Sequence, residues 1–233
     1  MVLVLFDIDG TLLWTDGAGR RAIHRALIDE AGTAGPIDTY RFDGKTDPQI
    51  VTELLAAAGH PEARDESRIA AVCRRYVEQL ERELEAAPSG TRLLPGVADL
   101  LHALAPHEAQ GRAVVGLLTG NVVPGAELKL RAGGVDPARF TVGAYGSDSG
   151  RRTDLPAIAV ERAAARTGRR FSGAEVIIVG DTPADVQCGR ALGTRSVGVA
   201  TGFYDAAALR AAGATHVFES LADTAAVLSA LLG

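Results

Sequence analysis

Val2-Leu3-Val4-Leu5-Phe6-Asp7-Ile8-Asp9-Gly10-Thr11 decides how this chain folds. Five consecutive apolar residues suit a buried strand and are far too few to cross a bilayer. Two carboxylates follow directly at its carboxyl end. In an open α/β sheet, ligands and catalysis lie in the crevice beyond the carboxyl ends of the strands. Two further apolar runs end in the same way, residues 114–118 at Thr119-Gly120-Asn121 and residues 176–179 at Gly180-Asp181-Thr182-Pro183-Ala184-Asp185. Three polar clusters are therefore expected along one edge of a sheet.

From residue 112 to residue 232, β-like runs alternate with helical patterns. Such alternation predicts a parallel sheet with helices on both faces. The runs are continuously apolar, as strands covered on both sides must be. Between residues 15 and 88 the β-like runs vanish. Ala22, Ile23, Ala26 and Leu27 form one apolar stripe, and Ile50, Leu54 and Leu55 a second, which Asp47 is expected to cap with Pro48 at the first helical position. Ile69, Val72, Tyr76, Leu80 and Leu84 run through a third, charged helix. The expected organisation is a core of residues 1–14 and 89–233 with a helical insertion over 15–88, hinged near 14–17 and 87–91.

With 233 residues, 47% of them hydrophobic, the chain can bury a real core. A net charge of −5 argues against nucleic-acid and anionic-membrane partners. Cys73 and Cys188 lie in no metal-binding or disulfide pattern, which fits a reducing, cytoplasmic setting. The amino-terminal apolar run is a strand's length with no basic region before it, so neither a signal peptide nor a membrane span is expected. Nothing in the sequence sets an oligomeric state.

The three strand-end clusters resemble, in form, order and spacing, the first, second and fourth motifs of the haloacid dehalogenase (HAD) superfamily, most closely its phosphoglycolate phosphatase-like and β-phosphoglucomutase-like members. The resemblance implies a three-layer α/β Rossmann-like core with a helical cap, and Mg²⁺-dependent hydrolysis of a small phosphorylated metabolite. It implies that Asp7 attacks phosphorus to form an aspartyl-phosphate, turning one hard displacement into two easier ones. Asp9 is then the acid that protonates the leaving oxygen and the base that activates water. Thr119, with Gly120 and Asn121, is expected to bind phosphate oxygens near a helix start; on that segment alone, a helix N-cap is an equal reading. Asp7, Asp9 through its backbone carbonyl, and Asp181 are the implied Mg²⁺ ligands, with Asp185 behind them. Plain helix capping is the bland alternative for Asp181, and an Asp-Gly turn for Asp9-Gly10.

The third motif departs from the family pattern, which carries a lysine there. This chain has Gly150-Arg151-Arg152-Thr153-Asp154-Leu155-Pro156. Arg152 is expected to take the role, with Arg151 as its rival, because a guanidinium can both neutralise the nucleophile and grip phosphate. Lys45, in Phe42-Asp43-Gly44-Lys45-Thr46-Asp47, is a candidate for contacting the substrate beyond its phosphate, against the alternative of an exposed loop lysine.

Most competing readings fall short. An EF-hand would need an oxygen ligand where Leu5 stands. Gly17-Ala18-Gly19-Arg20-Arg21-Ala22 matches a relaxed dinucleotide fingerprint but lies beyond the strand-to-helix turn. A phosphomutase shares these motifs and differs only in excluding water, which no short motif here reports, so it stands as the alternative. A non-catalytic phospholigand-binding module would not need paired Asp7 and Asp9.

Overall fold

A computed structural model describes residues 1–233, apart from the side chain of Ser89. Six parallel strands form the central sheet: β1 (Val2–Phe6), β4 (Ala113–Thr119), β5 (Val142–Tyr145), β6 (Val176–Gly180), β7 (Arg195–Val199) and β8 (His216–Phe218). Their order is β5-β4-β1-β6-β7-β8. The chain runs outward from β1 in one direction, then returns to build the other side from β6. The switch point therefore lies between β1 and β6, the crevice where a doubly wound sheet binds its ligand.

Alternation along β1 explains the three layers. Leu3 and Leu5 point to one face, packing with Val142, Ile178 and the α6 (Leu155–Thr167) residues Leu155, Ala159 and Ala163. Val4 and Phe6 point to the other, against α4 (Val97–Ala109), α5 (Val123–Ala132) and α9 (Thr224–Leu232). Both faces being covered, the strand carries no polar residue until the core ends. α7 (Pro183–Cys188) follows β6, and α8 (Ala206–Ala211) lies between β7 and β8. The fold is a three-layer, Rossmann-like α/β sandwich.

Between β2 (Leu13–Trp14) and β3 (Arg92–Leu93), the chain forms α1 (Ala18–Ala31), α2 (Asp47–Ala57) and α3 (Glu66–Ala86). Ile23, Leu27, Leu54, Val72 and Leu80 give these helices a core of their own, which the α5-side residue Val122 joins. β2 and β3 pair antiparallel, Leu13 with Leu93 and Trp14 with Arg92. This two-stranded clasp fixes where the helical segment leaves and rejoins the sheet. Asp16, just beyond it, is the one non-glycine with positive φ (49°) among the described residues, a turn a bulky residue would resist.

The expected Asp47 cap is corrected. Thr46 is the N-cap of α2, accepting from the Gln49 amide, and Asp47 is the first helical residue. Its carboxylate is used elsewhere, as described below.

Candidate active site

The backbone turns sharply after Ile8, helped by Gly10 at φ +78°. A Cβ at Gly10 would overlap the Asp181 carboxylate, so glycine lets the β1 loop close onto the β6 loop. Further ties hold the two loops together: the Asp7 amide donates to Val179 (2.9 Å), and the Thr11 hydroxyl donates to Asp181 (3.2 Å).

Asp7, Asp181 and Asp185 each bring a carboxylate oxygen within 4.8 Å of the others, and all three are buried. Arg152 is buried with them. It donates to Asp185 and lies 3.3 Å from Asp7. Three carboxylates against one guanidinium leave the cluster short of positive charge. Burial, with Asp185 and Asp9 adding to it and Arg152 opposing, pushes the Asp7 carboxyl from 3.8 up to about 6. Burial, then Asp185 and Asp7, push Asp181 well above the carboxylate range. Arg152 keeps its charge despite burial because Asp185 and Asp7 flank it. Its Nε has no hydrogen-bond partner among the described residues. Arg151 points to solvent and pairs with Asp154 (3.0 Å), so of the two arginines only Arg152 faces Asp7. Asp185 also accepts from the Thr182 amide (2.9 Å) and hydroxyl (2.7 Å) at the start of α7, which fixes it as an anchor for Arg152.

Thr119 is fully buried at the end of β4, and its oxygen accepts from the Asn121 side chain (2.8 Å). The same Asn121 amide group donates to Asp9 (2.8 Å). The Asp9 carboxylate is therefore tied to the Asn121 side of the cavity. It meets Lys129, whose ammonium lies 2.8 and 2.7 Å from its two oxygens and 2.7 Å from the Asn121 carbonyl oxygen. Sequence reasoning missed Lys129. Lys45 and Lys129 are the only lysines among 24 basic residues, and that scarcity was the available signal.

The α1–α3 segment closes over this edge. The Asp47 amide donates to the Gly120 carbonyl (2.8 Å), Val122 donates to the Asp47 carboxylate (2.8 Å), and the Thr46 hydroxyl donates to Gly150 (2.9 Å). A Cβ at Gly120 would overlap the Lys45 carbonyl oxygen, so this glycine is the seat of the loop. Burial, opposed by Lys129 and the Val122 amide, pushes Asp47 up to about 6. Beneath the loop lies a cavity of about 210 Å³, reached by Asp7, Asp9, Thr119, Lys129, Arg152 and Asp181 from the core and by Arg20 and Lys45 from the helical segment. At its rim, Phe203 is 69% exposed and meets Trp14 edge to face, centroids 5.6 Å apart.

Lys45 lines the cavity, but its ammonium is already engaged, 2.7 Å from both Glu53 and the Tyr40 hydroxyl. Although burial works against it, hydrogen bonds from Lys45, Tyr40 and Gln49 hold the Glu53 carboxyl down to about 2. Arg20 differs. Its guanidinium donates to the Ile37 (2.5 Å) and Tyr40 (2.9 Å) carbonyls and stacks on Phe42, so its partners are neutral. The Cys73 and Cys188 thiols are buried, which pushes both up to about 12 and leaves neither a nucleophile.

The fold has counterparts among known proteins. The family model described as haloacid dehalogenase-like hydrolase matches residues 4–190. No curated protein matches the chain in sequence. Similar solved structures include a hydrolase from Pseudomonas syringae, with a TM-score of 0.75 at 21% identity and 100% of both chains covered. CbbY from Rhodobacter sphaeroides in complex with phosphate superposes with a TM-score of 0.71 at 21% identity, over 96% of each chain. A predicted phosphoglycolate phosphatase from Haemophilus somnus gives 0.67 at 20% identity, covering 98% of each. Because the family match spans most of the chain and takes in all three strand ends, the protein belongs to the haloacid dehalogenase-like hydrolases and is an enzyme of that type.

Proposed function

We propose that the protein hydrolyses a small phosphate monoester by way of an aspartyl-phosphate on Asp7, with Mg²⁺ as cofactor. The observation that carries this reading is the buried Asp7, Asp181 and Asp185 cluster around a single guanidinium, facing a cavity that also holds Asp9 and Thr119. Asp7 is the nucleophile because it is the carboxylate at the end of β1 that Arg152 attends. Arg152 offsets the repulsion between carboxylate and phosphate dianion. Asp9 stands two residues on as acid and base, and Thr119, Gly120 and Asn121 form the phosphate-facing rim. In this reading residues 15–88 are the cap, and residues 1–14 and 89–233 the catalytic core.

The residues fit the metal. Two buried carboxyls that lack a full cationic partner call for a divalent cation, and hard carboxylate oxygens with room for substrate suit Mg²⁺. Asp7, the Asp9 backbone carbonyl and Asp181 would hold it, with Asp185 orienting Arg152. When bound, the ion supplies charge neutralisation at the transferring phosphoryl group.

Two measurements test this. A generic aryl phosphate should be turned over with Mg²⁺ and not after chelation; turnover that survives chelation would remove the metal from the account, and release of the phosphoryl group to organic product rather than as inorganic phosphate would mark a phosphomutase. Independently of activity, Mg²⁺ should raise the melting temperature more at pH 7.5 than at pH 5. The sign follows from Asp7: a folded-state value raised from 3.8 to about 6 means the metal-free fold is favoured below pH 4 and loses that stabilisation as pH rises through 6. Mg²⁺ relieves the ionised cluster, by about 2.7 kcal/mol at a hundredfold excess over Kd. An equal shift at both pH values would contradict it.

The cavity suits a small metabolite. Among its described cations Arg20 has no carboxylate partner, so we assign it, ahead of Lys45, to a second anionic group on the substrate. Arg20→Ala should raise KM for a carboxylated phosphate monoester roughly tenfold while sparing an aryl phosphate, whereas Lys45→Ala should change both by a few-fold at most. A selective KM rise in Lys45→Ala would return the role to Lys45.

A further inference from the structure

We infer that Lys129, braced by Asn121, is the positioning residue that aims Asp9, and that Asp9 works through its Oδ1 atom. This rests on the reading of Asp9 as acid and base. Lys129 stands in the last turn of α5, and its side chain is only 6% exposed. An ammonium has three protons to donate. Here they meet Asp9 Oδ1 (2.8 Å), Asp9 Oδ2 (2.7 Å) and Asn121 Oδ1 (2.7 Å). All three are used, so none is left for a substrate oxygen, although the side chain borders the cavity.

Asp9 itself needs holding. Its side chain is 43% exposed, and a half-exposed carboxylate would otherwise sample several rotamers in water. Lys129 donates to both oxygens, and the Asn121 amide adds a second donor to Oδ2 (2.8 Å). Oδ2 thus accepts two hydrogen bonds and Oδ1 one. The less occupied oxygen is the one free to exchange a proton with substrate. As the ester P–O bond breaks and Asp7 bonds to phosphorus, Oδ1 gives its proton to the departing ester oxygen. As water then attacks phosphorus and the Asp7–phosphate bond breaks, Oδ1 takes the water proton, restoring the starting state.

The choice of lysine has a physical reason. A compact ammonium can place donors on two different groups in a tight space, where a planar guanidinium fork is matched to one. α1 lies alongside at Gly19, a Cβ of which would make ordinary van der Waals contact with the Lys129 nitrogen at 3.5 Å. The α5 backbone is anchored by buried Ala126 and Leu130, so the ammonium is held on a rigid element.

The experiment compares kcat/KM for an aryl phosphate, whose leaving group needs little protonation, with that for an alkyl phosphate, which needs it. Wild type, Lys129→Gln, Asp9→Asn and the double variant are measured with Mg²⁺ present. Lys129→Gln should lose at least about tenfold more on the alkyl ester than on the aryl ester, within the range general acid catalysis supplies. In the Asp9→Asn background the same change should cost less than about twofold, because residues acting as one unit are not additive. Equal losses on both esters, or a full loss persisting in the double variant, would overturn the inference. Should Lys129→Gln fail to fold, Asn121→Ala must show the same bias toward the alkyl ester, and its absence counts equally against the idea. Wild type that cleaves neither ester would instead bring down the phosphatase reading, and this inference with it.

Discussion

Asp7→Asn should abolish turnover, by at least about 10³-fold on any phosphate ester, while the metal-free protein melts no lower than wild type. The two halves of this result have one cause. Asp7 is a buried carboxylate whose desolvation already pushes it up to about 6, so its charge is a liability to the fold, tolerated for chemistry. An amide of the same shape keeps the packing against β6 and removes the charge. A folded Asp7→Asn protein with substantial activity would remove Asp7 as nucleophile. One that melts markedly lower would show that the Arg152 contact outweighs the cost of burial.

Arg152→Ala should be the most disruptive single change in the core loops. Removing it leaves Asp7 and Asp185 buried with no positive partner, which costs on the order of 3–5 kcal/mol for a broken buried pair. Activity should fall by roughly 10²–10³-fold, the scale of losing one group that stabilises developing charge. Arg151→Ala is the control. Its side chain is 81% exposed and pairs only with Asp154, so its loss should stay within about 0.5 kcal/mol and leave turnover intact. Mg²⁺ should recover part of the stability lost in Arg152→Ala, because both cations answer the same surplus of carboxylates. Thermal melts and kcat for the two variants check this, and the reverse order of effects would place the role on Arg151.

Much of the architecture was legible because parallel strands covered on both faces must be continuously apolar. β1, β4 and β6 show it, and so the polar residues that end them are readable as neighbours from the sequence alone. The clasp of β2 and β3 could not be read, since two-residue strands carry no periodicity and their pairing spans the whole helical segment. Asp47 was misread for a local reason. Thr46 and Asp47 are both good capping residues, and only the core amide of Val122, 75 positions away, draws the aspartate out of the cap role. Lys129 stood out in the sequence only as one of two lysines. Nothing in the α5 sequence says which of its charged residues turns inward, because that depends on where α5 sits against Asn121 and Asp9. Lys45 was found as a cavity residue, but its pairing with Glu53 belongs to the folded loop and α2 together.

If phosphate passes through Asp7, rapid acid quenching should trap the aspartyl-phosphate there. Enzyme mixed with excess aryl phosphate and Mg²⁺ is quenched in acid within one turnover, then digested and mapped by mass spectrometry. One phosphoryl adduct is expected, carried by the peptide that contains Asp7, absent from Asp7→Asn and accumulating in Asp9→Asn, where the water is no longer activated. Full turnover with no adduct on that peptide, or an adduct that persists in Asp7→Asn, would contradict it.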